Sequence, residues 1–212
     1  MDNYVIVIAR TYGSGGKEIA LKLADKLHIP VIDRELLKMA SMESGISEEI
    51  FNLADEKTRK SFFEKKRQHK YVNIFDSPSS ENFMSEENLF DYQAKILLKM
   101  AMSESFIVIG RAADYVLRTF PNVLSVNIDA PLDDRIASII RKFGIEEKQA
   151  EKDIKKIDHY RKDYHYYYTG REWGDIDNYD LVLNTGRYNR DKCVELIIQA
   201  VEIKLNKSIK ET

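Results

Sequence analysis

The feature that most constrains this chain is the glycine cluster Gly13-Ser-Gly-Gly16, which stands directly behind the β-branched run Tyr4-Val-Ile-Val-Ile8. A continuous apolar run of this kind suits a strand buried on both faces of a parallel sheet. Beyond the glycines, Ile19, Ala20, Leu23, Ala24 and Leu27 recur at helical spacing, so a helix is expected over 17–27. Strand, glycine loop and helix in that order make a phosphate cradle. Residues without side chains let the backbone bend sharply and aim several N–H donors at one point, where the helix N-terminus adds partial positive charge. The plain alternative is a tight strand-to-helix turn that binds nothing.

Against the consensus GxxxxGK[ST], Gly16-Lys17 match, while Thr11 stands at the first glycine and Glu18 at the hydroxyl position. A second register aligns Gly13-Ser14-Gly15 with the GSG of many nucleotide kinases; Gly16 then falls where their lysine lies, and Lys17 one place beyond. Both registers stay open. Either way Gly13, Ser14, Gly15, Gly16, Lys17 and Glu18 are the candidate triphosphate-binding residues. Glu18 lacks the hydroxyl that normally ligates Mg²⁺, which leaves Ser14, another carboxylate or water to hold the metal.

Further strands are expected at Ile29-Pro-Val-Ile32, Phe106-Ile-Val-Ile109, Val123-Leu-Ser-Val-Asn-Ile128 and, more weakly, Leu181-Val-Leu183, with helical patterns over 86–102, 132–142 and 190–207. Alternation of this kind argues for an α/β fold, a parallel sheet covered on both sides. Two stretches interrupt the rhythm, and both follow strand ends, where such folds place ligands. Residues 35–86 are helical and heavily charged, with Glu64-Lys-Lys-Arg67 as a solvated helix face and residues 76–82 as an exposed loop. Residues 144–173 turn tyrosine-rich from Tyr160 to Tyr168, aromatics expected to pack this segment against the body rather than to stack on a base.

At 212 residues the chain is expected to be a single domain, 1–212, with these two insertions. A formal net charge of −2 offers no global field for a nucleic-acid polymer or an anionic membrane. The lone Cys193 cannot close an intramolecular disulfide, the first nine residues are too short for a signal peptide or membrane span, and a cytoplasmic setting is expected. No histidine has metal-ligand spacing.

The loop, together with Val108-Ile-Gly-Arg111, Ala130-Pro-Leu-Asp-Asp-Arg135, Asp158-His-Tyr-Arg161, Trp173-Gly-Asp and the run 178–185, resembles the cytidylate kinase-like family over almost the whole chain. The resemblance implies a P-loop NTPase fold with a five-stranded parallel sheet flanked by helices, a monophosphate-binding insertion at about 35–86 and a lid at about 144–173. It also implies Mg²⁺-dependent transfer of the γ-phosphoryl of ATP to a small phosphate acceptor, CMP or dCMP first. Carried over residue by residue, it gives Lys17, Arg111, Arg141, Arg161 and Asp158 catalytic roles, adds Arg135 on the helix entering the lid, and makes Asp33 and Arg111 acceptor-binding. Arginine clamps suit this chemistry, because charge develops on phosphoryl oxygens and a closing lid excludes water. True cytidylate kinases carry Ser-Gly after the second-strand Asp and Asp after the third-strand Gly-Arg. Here Arg34-Glu35 and Ala112 stand instead, with Asp114 the candidate for the missing carboxylate. Asp33 has a plainer reading as the cap of the next helix. A nucleotide-binding regulatory protein without turnover, or a small-molecule kinase using Asp33 as base toward a hydroxyl, fits the same residues. A homodimer stays open.

Overall fold

In a computed structural model of the chain, residues 3–52, 80 and 82–209 are described. The charge run at 64–67 and most of the expected loop at 76–82 lie outside them. Five strands form one parallel sheet: β1 (Val5–Arg10), β2 (Val31–Ile32), β3 (Phe106–Ile109), β4 (Val123–Asp129) and β5 (Leu181–Asn184), in the order β2-β3-β1-β4-β5. The helices are α1 (Gly16–Leu27), α2 (Glu35–Ser44), α3 (Glu86–Ala101), α4 (Ala113–Val116), α5 (Leu132–Phe143), α6 (Glu147–Thr169) and α7 (Arg190–Leu205).

Strand β1 shows why the opening run had to be apolar throughout. Val5 and Val7 face one core with Leu36, Leu37, Phe90 and Leu97, whereas Ile6 and Ile8 face the other with Ile19, Leu23, Cys193 and Ile197. With period-2 alternation and helices on both sides, neither face tolerates a polar residue. Strand β2 is shorter than its apolar run because Pro30 has no N–H to offer; its carbonyl still accepts from Ile107 N at 2.8 Å. The sheet order places the C-terminal ends of β1 and β3 side by side where the chain reverses its direction of winding, the position at which open α/β sheets collect ligands.

Residues 144–173, expected as a lid, are mostly one 23-residue helix, α6. Its first half packs on α5 through Ile139, Ala150 and Ile154, with Tyr12 of the glycine loop against the same cluster. Its last turns bury Tyr167 and Tyr168 against α3. Tyr168 stacks on Phe90 with ring centroids 4.0 Å apart, and the Tyr167 hydroxyl bonds to Glu87. Tyr167 and Tyr168 therefore pack, with Tyr164 partly buried beside them, while Tyr166 is exposed. Among the described residues no helix is long and apolar enough to cross a membrane.

Candidate active site

The loop between β1 and α1 is sewn to the sheet behind it. Thr11 N–H donates to Ile128 O (3.1 Å), Thr11 Oγ1 to Asp129 Oδ1 (2.7 Å), and Thr185 Oγ1 to Ser14 O (2.7 Å). Ser14 is fully buried, and its hydroxyl is shared between the carbonyls of Thr11 (2.8 Å) and Ile128 (3.1 Å). A hydroxyl turned inward and spent on main-chain carbonyls does not ligate a metal on the loop's outer side. The expectation that Ser14 holds Mg²⁺ is thus corrected; the residue fastens the loop.

Helix α1 begins at Gly16 with Gly15 as its N-cap, and the space in front of Gly16 is already occupied. A Cβ on Gly16 would stand 2.5 Å from Arg10 Cβ, so no lysine stem could leave the backbone there. The place that the loop lysine takes in the GSG register is filled by the side chain of Arg10. Lys17, one step on, points sideways to Asp33 at the end of β2 (3.0 Å) and is 63% exposed. Glu18 turns outward to Arg190 (3.1 Å), whose guanidinium lies against Gly15 from the start of α7.

A cleft of about 880 Å³ opens at the strand ends, a size suited to a nucleotide-like ligand. Its walls include Arg10 and Tyr12 from the loop, Asp33 after β2, Arg111 after β3, and Arg161 and Tyr164 from α6. Lys17 also lines it, so four of the expected residues (Lys17, Asp33, Arg111 and Arg161) converge, while Gly13, Ser14, Gly15, Gly16, Glu18 and Asp158 are not among its walls. Asp33 does not cap α2, whose N-cap is Arg34 without a side-chain bond. Burial alone would raise the Asp33 carboxyl, but the Lys17 hydrogen bond and the Arg10 charge outweigh it and hold the group below the usual carboxylate range. Arg161 Nη1 donates to Arg10 O (2.8 Å) and sits 3.6 Å from Asp158. Asp158 accepts from Tyr12 N–H (2.7 Å) and from Arg135 Nη1 (2.5 Å). Asp158 therefore ties α6 to the glycine loop, and Arg135 is a half-buried partner in that tie rather than a solvated charge. Arg141 is a correction: it is exposed and outside the cleft. Ile139, two residues before it, is the buried face of α5, and two residues turn a helix by roughly 200°, which sends Arg141 to solvent.

The end of β3 carries a feature that sequence reading missed. Gly110, Arg111 and Ala112 all have left-handed backbone angles, with φ of 70°, 61° and 51°. For the two non-glycines this costs on the order of 1–3 kcal/mol each, and such strain persists where surrounding structure enforces it. The turn leads into α4, whose Asp114 is buried and bonded through Oδ2 to His165 Nε2 of α6 (2.7 Å). His165 Nδ1 faces the Arg171 carbonyl (3.1 Å), an acceptor only, so Nδ1 carries a hydrogen. Nε2 against a carboxylate then needs a second one, and the pair holds a proton either as imidazolium and carboxylate or as imidazole and acid. Burial alone would lower the His165 pKa, but Asp114 overrides it and raises the value. Asp114 is thus engaged by α6 rather than left to read a base. The separation of 51 residues hid this pair, and only the proximity of Asp114 to the Gly-Arg segment hinted at it.

Comparison with known proteins agrees with this geometry. Residues 5–187 match the cytidylate kinase-like family. The crystal structure of an uncharacterized protein from Eubacterium ventriosum ATCC 27560 superposes with a TM-score of 0.69 at 27% identity, covering 94% of this chain and 99% of that one. A sugar kinase from Janibacter sp. HTCC2649, in its unliganded structure, shares the fold with a TM-score of 0.51 at 16% identity over 95% of each chain. Among curated proteins, the uronate isomerase of Corynebacterium glutamicum is 27% identical over 127 residues. The matched stretch is 58% of this chain and 24% of that protein, so the likeness spans about a quarter of the curated relative.

Proposed function

The chain belongs to the cytidylate kinase-like family, and from that premise we propose that it transfers the γ-phosphoryl of ATP to a nucleoside monophosphate, CMP or dCMP being the first acceptors to try. The observation that carries this is the convergence of Asp33, Arg111 and Arg161 with Arg10, Tyr12 and Lys17, which flank the loop glycines, on one cleft at the sheet's C-terminal edge. In such a transfer an acceptor phosphate oxygen attacks the γ-phosphorus, the bond to the β-bridging oxygen breaks, and ADP leaves. The attacking oxygen is already anionic and no base is required; what the protein supplies is alignment and positive charge. Arg111 and Arg161 face the cleft for that purpose, and residues 144–173 serve as the lid, while residues 35–86 hold the acceptor.

Mg²⁺ in phosphoryl-transfer sites takes one or two carboxylates and completes its shell with phosphates and water. The chain offers one such carboxylate, Asp33, which stands ionised in the cleft. Asp33 would hold the ion, which neutralises phosphate charge when bound. The same depressed pKa weighs against the second reading, a hydroxyl acceptor deprotonated by Asp33, although the carboxylate does face the cleft.

ADP formation from ATP and Mg²⁺ across a panel of nucleoside monophosphates, with sugars as hydroxyl acceptors and an acceptor-free control, tests the reading. Turnover with one monophosphate is the expected result. Turnover with a sugar alone would replace it by the hydroxyl reading, and ATP binding without acceptor-dependent ADP would leave a regulatory nucleotide binder.

A further inference from the structure

Arg10 is the last residue of β1, and nothing in a motif reading singles it out. Its side chain runs through a channel between two glycines that come from distant parts of the chain. The stem lies on Gly16, where a Cβ would meet Arg10 Cβ at 2.5 Å, and the head lies on Gly110, where a Cβ would meet Nη1 at 2.3 Å. Any larger residue at either place would evict the guanidinium. The head faces the cleft between the loop and the end of β3. Among the described residues it makes no side-chain hydrogen bond and no ion pair; its neighbours Arg161 and Arg111 repel it, and Asp33 and Asp158 attract it from beyond contact distance. Five N–H donors held in place beside like charges form a seat for an anion.

We propose that Arg10 grips the phosphates of the bound triphosphate, taking the role that the loop lysine fills in other P-loop proteins. In the GSG register the consensus reads from position 10 to position 17, so this chain departs at three places: arginine stands for the first glycine, Gly16 for the lysine and Lys17 for the hydroxyl residue. The cation has moved from the helix start to the strand end, and its side chain returns to the space the lysine stem would have used. Lys17 is left to orient Asp33. Burial, with Arg161 and Arg111 pushing the same way against Asp33 and Asp158, brings the guanidinium down to about 9.

The inference rests on the phosphotransferase reading of the same cleft, and the test separates the two. ATP binding to the full chain is measured by calorimetry for wild type, Arg10→Ala, Arg10→Lys and Lys17→Ala, with a thermal melt of each. Removing a charged phosphate clamp is expected to weaken ATP binding about 10- to 100-fold in Arg10→Ala and by less in Lys17→Ala. Arg10→Lys is expected to bind well at about pH 6 and to lose affinity as pH rises toward about 8, below the value of about 9 at which the wild-type guanidinium itself loses charge, because an ammonium in that position gives up its proton before a guanidinium does. A folded Arg10→Ala that binds ATP within twofold of wild type overturns the inference, as does a larger loss in Lys17→Ala. Should Arg10→Ala not fold, a flat pH profile in Arg10→Lys overturns it. A wild type that binds no ATP overturns the phosphotransferase reading instead. Tripolyphosphate, which has no base or sugar, then decides for Arg10: binding lost in the variant supports the clamp, and no binding to wild type rejects it.

Discussion

Arg161→Ala lowers kcat about 100- to 1,000-fold while changing ATP affinity far less, the expected result once an acceptor is in hand. Arg161 reaches the cleft from α6, with its side chain 20% exposed and Nη1 anchored on the carbonyl of Arg10. It therefore sits beside the glycine loop without being part of it, where charge on the migrating phosphoryl group builds up only during transfer. An interaction stronger in the transition state than in the ground state appears in kcat. Single-turnover rates and separate binding titrations distinguish the two, and Arg161→Lys is expected to recover only part of the rate because it restores the charge but not the planar fork. An unchanged kcat with weakened ATP binding would reassign Arg161 to ground-state binding.

Asp114→Asn is the substitution expected to cost the most stability outside the apolar cores, about 3 kcal/mol, because it removes one partner of a buried pair. Both side chains are about 5% exposed or less. The pH dependence carries the sign. The folded pKa of His165 is raised, so the pair's contribution is complete below about pH 6.5, the ordinary value, and is lost as pH rises through the folded value. Groups facing the pair are Arg171 from the turn after α6, whose charge opposes the rise, and Tyr179, whose phenol is raised by burial and by Asp114. Urea unfolding of wild type is expected to show stability falling from about pH 6.5 upward, and Asp114→Asn is expected to remove that slope. A wild type whose stability is flat over this range would show that the pair does not hold its proton as the geometry requires.

The sheet was legible in the sequence because its evidence is local. β3 begins and ends where its apolar run does, and α1, α3, α5 and α7 start within a residue of their periodic stretches. The glycine loop was legible as a loop, since three glycines between a buried strand and an amphipathic helix leave little choice. The course of the Arg10 side chain across it was not, because half of its channel is Gly110, which leaves room for the head of Arg10 from 100 residues away. Arg141 misled because resemblance transfers position along the chain, whereas helical phase relative to Ile139 decides which way a side chain faces. Ser14 misled for a related reason: composition reveals a hydroxyl, and only the packed loop reveals that the hydroxyl points inward. Asp114 and His165 are each unremarkable alone, and their meaning is a property of the pair.

Helix α6 meets the glycine loop through Asp158 and the end of β3 through His165, seven residues and roughly 10 Å apart along one rod. A rod of that length does not stretch. Whatever loosens its grip on Tyr12 also bears on Asp114, so the glycine loop and the turn after β3 are tied to one rod. Thermodynamics makes such sharing mutual: if triphosphate alters the affinity for acceptor by some factor, acceptor alters the affinity for triphosphate by the same one. In the transfer proposed above, coupling between the two substrates would need no connection beyond this single helix.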